Sequence, residues 1–105
     1  MNPNTVRACA VDSLKDGEMQ PVAGTVDPIG IGKAGGEWFA FENNCTHDDF
    51  PLTEGVIEDA EIECPLHGAR YCLRTGKVRA VPATCSIRVY PVHVVGGDVF
   101  IELPT

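Results

Sequence analysis

An all-β, antiparallel fold is what this 105-residue sequence predicts. Three observations carry it: short extended runs broken by turn-forming residues, two-residue alternation of apolar side chains within those runs, and no long stretch of 3.6-residue periodicity. The first run is Val6–Val11, closed by Leu14-Lys15-Asp16-Gly17, and a second spans Met19–Val26. The stretch "IGIGKAGGEWFAFE" reads as a hairpin turning at Gly35-Gly36, with Phe39 and Phe41 on one face and Trp38 and Ala40 on the other. Its glycines superficially resemble a phosphate-binding loop, but no helix comes after them, so the hairpin reading prevails. A short helical turn is expected near Pro51–Glu54. "VIEDAEIE" is a second hairpin, apolar at Val56 and Ile62 and turning near Glu58-Asp59. "SIRVYPVHVVGGDVFIEL" is a third, turning at Gly96-Gly97-Asp98, with Ile87 and Val89 alternating against Arg88 and Tyr90 in its first arm and Val99 and Ile101 together in its second.

The length fits one domain, enough for one compact core. Residues 43–83 differ from their flanks: they hold two Cys/His pairs, three of the eight prolines, and little strand character outside the central hairpin. They read as a smaller subdomain inserted into a β base made of residues 1–42 and 84–105.

Charge and composition exclude several classes. The net charge is −7 with a pI near 4.7, a surface that nucleic acid would repel. Seven acids fall between Asp48 and Glu63, and five of the eight basic residues between Arg70 and Arg88. They read either as two solvated loops of opposite sign or as a docking feature. No apolar run approaches the roughly 20 residues that cross a bilayer, and the first residues do not read as a signal peptide. A cytoplasmic protein with no membrane partner is expected. Five cysteines, an odd number, argue against a disulfide framework and for metal or redox chemistry. No nucleophile–base arrangement suggests a catalytic site.

The chemistry-bearing residues are two pairs: Cys45-x-His47 in "ENNCTHDDFPL", then sixteen residues, then Cys64-x-x-His67 in "IECPLHGARYC". Such spacings let a tight loop aim two side chains at one point, and the hairpin between them can set the distance between the loops. Gly68 allows close backbone approach or positive φ, and Pro51 and Pro65 lower the ordering entropy of the loops. Two thiolates and two imidazoles suit a closed tetrahedral Zn²⁺ site. They also suit a [2Fe–2S] cluster in which two His replace two Cys on one iron, although spacing by itself leans towards zinc, the commoner kind of site.

The residues around the pairs add to this. "CTH", "CPLHG", "TGKV" and the proline-bearing "AVPAT" resemble the Rieske iron–sulfur proteins, above all the small ferredoxins of bacterial aromatic-ring-hydroxylating dioxygenase systems. The resemblance covers most of the chain. It implies a Rieske-type antiparallel β-sandwich in which residues 43–83 form the cluster-binding subdomain. It implies one [2Fe–2S] cluster, with Cys45 and Cys64 on the inner iron and His47 and His67 on the outer, partly solvent-open one. Pro82 would match the family's cluster-covering third loop, where the residues alone suggest an ordinary turn. The expected role is one-electron transfer, without catalysis of its own, from an NAD(P)H-dependent flavoprotein reductase to a terminal oxygenase acting on aromatic compounds. Asp48, Asp49 and Arg70 would shape the docking patch. The rival readings are a zinc-stabilised binding module and the small Rieske-like subunit of a nitrite reductase-type enzyme, though such subunits often lack the ligands.

The resemblance also locates this chain within its class. Respiratory Rieske subunits carry an extra cysteine in each ligand loop, and no cysteine stands beside Asp49 or at Leu66. They have a serine where this chain has Ala69. Both absences imply a lower potential. Tyr71 points the other way: the respiratory type has a tyrosine there that donates to a cysteine sulfur, so the Tyr71 hydroxyl is expected to reach Cys45 Sγ. The alternative is a ring packed under the loop with its hydroxyl in water. Cys9, Cys72 and Cys85 read as structural, with Cys72 of interest beside the second loop. His93 reads as a strand or surface histidine.

Overall fold

The computed structural model describes residues 4–45, 50–65, 68–80 and 86–104. Its strands are β1 (Thr5–Ala10), β2 (Glu18–Pro21), β3 (Ile29–Ala34), β4 (Glu37–Glu42), β5 (Val56–Glu58), β6 (Glu61–Glu63), β7 (Arg70–Cys72), β8 (Val78–Ala80), β9 (Val89–Tyr90), β10 (Val92–Val95) and β11 (Asp98–Glu102). The helical turn expected near Pro51 is a 3₁₀ turn over Leu52–Glu54. All pairings are antiparallel, in three sheets ordered β1-β11-β10, β2-β3-β4-β9 and β5-β6-β7-β8.

The sheet β2-β3-β4-β9 lies in the middle because its pleat is apolar on both faces. Ile29 and Ile31 of β3, Ala40 of β4 and Tyr90 of β9 join Cys9, Val99 and Ile101 of the first sheet in one core. Phe39 and Phe41, with Val89 packed alongside, join Ile57, Ile62 and Tyr71 of the third sheet in the other. The expected division of the β4 side chains between two faces is therefore present, and both faces are covered.

The "IGIG" pattern arises from the same geometry. Gly30 pairs with Phe41 and Gly32 with Phe39 across the β3–β4 ladder. A Cβ on Gly30 would stand 2.5 Å from Phe41 Cε2 and 2.8 Å from Thr53 Cγ2; one on Gly32 would stand 2.9 Å from Ile57 Cδ1. The two glycines clear the surface on which the phenylalanine rings, the 3₁₀ turn and the third sheet rest.

Four expectations need correction. The Met19–Val26 run yields only the short β2, ending at Pro21. The "VIEDAEIE" hairpin turns at Asp59-Ala60, where Asp59 takes the left-handed conformation (φ 54°) that short polar side chains tolerate. The arm before "VGGD" does not stay in one hairpin. Residues 89–90 pair with β4, and after Pro91 the chain enters the first sheet as β10, so Val89 and Tyr90 bury on opposite faces into different cores. Finally, residues 70–80 supply two strands that their composition did not reveal, because β7 and β8 are three residues each and too short for a period to show.

Those two strands also bring the blocks of opposite charge together. Antiparallel pairing of β6 with β7 sets Glu63 opposite Arg70. Arg70 approaches Glu61 (3.8 Å) and Glu63 (4.0 Å), and Arg79 approaches Glu61 (3.8 Å), all half-exposed. Glu58, Asp59, Glu61 and Glu63 of the acidic block and Arg70, Arg74 and Arg79 of the basic block line one groove on this sheet. Beyond β7, Arg74 makes a two-pronged ion pair with Glu37 at the start of β4, donating from Nη1 (2.7 Å) and Nη2 (2.9 Å), and its guanidinium lies 5.7 Å from the Phe39 ring centre. It ties the third sheet to the middle one.

Two outcomes are expected. Gly30→Ala should lower unfolding stability in denaturant melts by about 1–3 kcal/mol, the usual cost of overpacking, with an unchanged melt excluding this role for the glycine. The hydrogen bond from Arg74 holds the Glu37 carboxyl below its ordinary pKa. A depressed carboxylate stabilises the fold above its unfolded-state pKa, and that contribution disappears as pH falls through the folded-state value. The difference in melting temperature between wild type and Glu37→Gln should thus be present at pH 7 and close in acid.

Candidate metal centre

Two loops with the same closure border the third sheet. The first leaves the end of β4 and enters the 3₁₀ turn. The second links β6 to β7. Each is closed at its base by the same contact: the Cys45 N–H donates to the Phe50 carbonyl (2.7 Å) and the Cys64 N–H to the Ala69 carbonyl (2.7 Å). In both cases the donor is the cysteine and the acceptor lies five residues on. Gly68 has φ 72°, the left-handed region open to glycine. Ala69 is fully buried.

Cys45 and Cys64 are themselves fully buried and belong to one apolar core with Leu52, Ile62 and Tyr71. His47 and His67, like Asp48, Asp49, Pro82 and Cys85, lie outside the described residues. What the structure brings together is thus the two thiols and their supports.

Tyr71 is one of those supports. The alternation of β7 turns Arg70 outward and Tyr71 inward, opposite Ile62. The ring is fully buried, and its hydroxyl lies 3.6 Å from Cys45 Sγ, not in water. Cys72 comes next on the groove side with Glu61 and Arg79, where the Thr75 hydroxyl lowers the thiol's pKa against the opposing effect of burial. Arg70 stands at the start of β7, half-exposed and paired with Glu61 and Glu63. Cys9 is buried in the core of the first sheet. His93 is a surface strand residue, 3.1 Å from Glu102.

Sequence reading missed Asn43 and Thr53. Asn43 is buried, its N–H donates to the Pro28 carbonyl (2.9 Å), and its carboxamide makes two contacts with Thr53. The only signal was an asparagine two residues before Cys45 in a stretch otherwise read as generic polar loop.

A family model for the Rieske [2Fe-2S] domain matches residues 4–91. The chain belongs to the Rieske family. The 3-phenylpropionate/cinnamic acid dioxygenase ferredoxin subunit of Escherichia coli strain K12 is 44% identical over 102 residues, spanning 96% of this chain and 95% of that one. Among solved structures, a ferredoxin of Sphingomonas yanoikuyae B1 is 37% identical with a TM-score of 0.88, over 96% of this chain and 100% of that one. A chain in a complex of reduced oxygenase and oxidised ferredoxin of carbazole 1,9a-dioxygenase is 29% identical with a TM-score of 0.88, over 96% of this chain and 94% of that one. The all-β fold is that of the Rieske ferredoxins, and the family's group is one Rieske-type [2Fe–2S] cluster, not zinc.

The described donors fit that group. Two thiols without solvent access, one on each of two matched loops, are suited to hold a metal as thiolates shielded from water. Were Cys45 to hold the cluster, its thiolate would have no proton to give and the Tyr71 hydroxyl would be the donor in this pair. Such a bond would favour added negative charge nearby and therefore reduction. Tyr71→Phe should lower the midpoint potential by roughly 20–60 mV, the one-electron equivalent of a net hydrogen bond of about 0.5–1.5 kcal/mol. An unchanged potential in voltammetry would remove the assignment.

Proposed function

We propose that this protein shuttles single electrons in a cytoplasmic system for breakdown of aromatic compounds, from an NAD(P)H-dependent flavoprotein reductase to a terminal ring-hydroxylating oxygenase. The observation that carries the reading is the pair of buried cysteines at the bases of two matched loops, in a chain that spans nearly the whole length of a dioxygenase ferredoxin subunit. In the family as a whole the Rieske centre is a one-electron carrier, and the chain is a transfer component rather than a catalyst.

Cys45 and Cys64 would hold one iron through sulfur, and His47 and His67 would hold the other through ring nitrogen. Neutral imidazoles in place of two thiolates leave less charge to repel an added electron, which sets such centres at about −150 to +300 mV against about −400 mV for all-cysteine ferredoxins. The protein's own part is to keep the thiolates dry, to fix the loops on the packed sheets, and to donate the Tyr71 hydroxyl to Cys45 Sγ. Gly68 lets the second loop turn just before β7, and Pro82 would match the family's cluster-covering third loop. The division into a base of residues 1–42 and 84–105 and a cluster-binding unit of 43–83 is supported by the third sheet, whose strands all fall between Val56 and Ala80.

Docking is brief and polar in this reading, with Asp48 and Asp49 beside His47 and with Arg70 two residues beyond Gly68. No helix among the described residues is long and apolar enough to cross a membrane, in keeping with a partner met by diffusion.

The purified protein should be red-brown, contain acid-labile sulfide, and accept one electron from NAD(P)H only when a flavoprotein reductase is added. Cys45→Ser or Cys64→Ser should abolish colour and sulfide together, and colourless, zinc-containing wild type would refute the reading. Asp48→Asn with Asp49→Asn should slow turnover with the oxygenase mainly at low salt, because exposed charges are screened beyond a Debye length of about 10 Å at 0.1 M. An unaltered salt dependence would exclude steering by these acids.

A further inference from the structure

The two ligand loops share their inner closure but not their outer one. Around the Cys64–Ala69 closure stands a strand ladder, with Glu63 opposite Arg70 and Ile62 opposite Tyr71. Around the Cys45–Phe50 closure no strand pair stands among the described residues: β4 ends at Glu42, and beyond Phe50 the chain enters the 3₁₀ turn. A side chain occupies that place. The Thr53 N–H donates to Asn43 Oδ1 (2.9 Å), and Asn43 Nδ2 donates to Thr53 Oγ1 (3.2 Å). A carboxamide carries one acceptor and an N–H donor, as a peptide unit does, so Asn43 and Thr53 reproduce the two contacts of a missing rung.

The clasp is anchored at both ends. The Asn43 N–H donates to the Pro28 carbonyl just before β3. Thr53 Cγ2 lies 2.8 Å from the position a Cβ would take on Gly30, so it rests directly on the bare backbone of β3. Asn43 is 8% exposed and is the one buried polar or charged residue among the described residues. The two bonds are part-buried, so water replaces them poorly when they break and a vacated partner loses compensation.

We propose that Asn43 is the positioning residue of the first ligand loop: its carboxamide, clasped to Thr53, replaces a strand rung and fixes the backbone at Cys45. The proposal rests on the ligand reading of Cys45 and His47. It makes the first loop, whose outer closure is one side chain, the half of the site that loosens when that side chain is lost.

The test uses cluster-loaded protein in four forms: wild type, Asn43→Ala, Asn43→Asp, and Val99→Ala, which weakens the remote core of the first sheet. Bleaching of the visible absorbance by an iron chelator is timed well below the melting temperature, and the electron paramagnetic resonance spectrum of the reduced protein is recorded. Asn43→Ala should bleach at least about tenfold faster than Val99→Ala at comparable losses of melting temperature, the effect of opening one buried clasp, with a broadened resonance. Asn43→Asp, whose two oxygens can accept from the Thr53 N–H and hydroxyl, should keep both the slow bleaching and the narrow line. If Asn43→Ala does not fold, Thr53→Val removes the hydroxyl alone and should bleach faster than Val99→Ala. Equal bleaching of the clasp and remote variants, an unmoved resonance in the clasp variant, or Asn43→Asp behaving as alanine would overturn the proposal. Wild type that holds no cluster would instead overturn the ligand reading beneath it.

Discussion

The whole arrangement depends on one sheet that is apolar on both faces. β2-β3-β4-β9 is covered on one side by the first sheet and on the other by the third, and each pleat of β3 and β4 contributes to both cores. Burying both faces is unusual for an antiparallel sheet, which commonly keeps one face wet. It is possible here because β3 alternates isoleucine on one face with glycine on the other. The isoleucines fill the first core, and the glycines make room for Phe39, Phe41, Thr53 and Ile57 in the second. The floor beneath both cysteine-bearing loops is therefore backbone and aromatic ring, packed too closely to yield.

On that floor the site is built by two kinds of closure. The second loop is a hairpin extension: β6 and β7 zip up to Cys64 and Ala69, and the backbone ladder does the positioning. The first emerges where β4 stops and must be held by side chains. Tyr71 connects the halves, since it belongs to the strand after the second loop and its hydroxyl meets the thiol of the first. The contact proposed to tune the centre thus also couples the two loops mechanically.

The third sheet brings together charges that lie in separate blocks of the sequence. The acids of residues 58–63 and the bases of 70–79 face each other across one outer groove, while Arg74 reaches back to Glu37. Half-exposed pairs of this kind contribute little each. Their effect is to leave the third sheet's outer face locally balanced, so that most of the net negative charge resides elsewhere on the molecule.

Much of this could be read from the chain itself. Period-two alternation, Gly-Gly turns and the paired Cys/His boxes are local patterns, set by sterics and ligand spacing within a few residues. They determined the all-β class, the β3–β4 hairpin, the family and the two cysteines proposed for the centre. The tertiary structure decided what depends on residues far apart in sequence. Tyr71 reaches Cys45 across 26 positions, Arg74 reaches Glu37 across 37, and Arg88 donates its N–H to Glu42 across 46. The transfer of the chain at Pro91 from one sheet to another shares that property. The three-residue strands β7 and β8 and the Asn43–Thr53 clasp join residues closer in sequence, but they are too short or too ordinary in composition to announce themselves, and only the packed chain brings their partners within hydrogen-bonding distance.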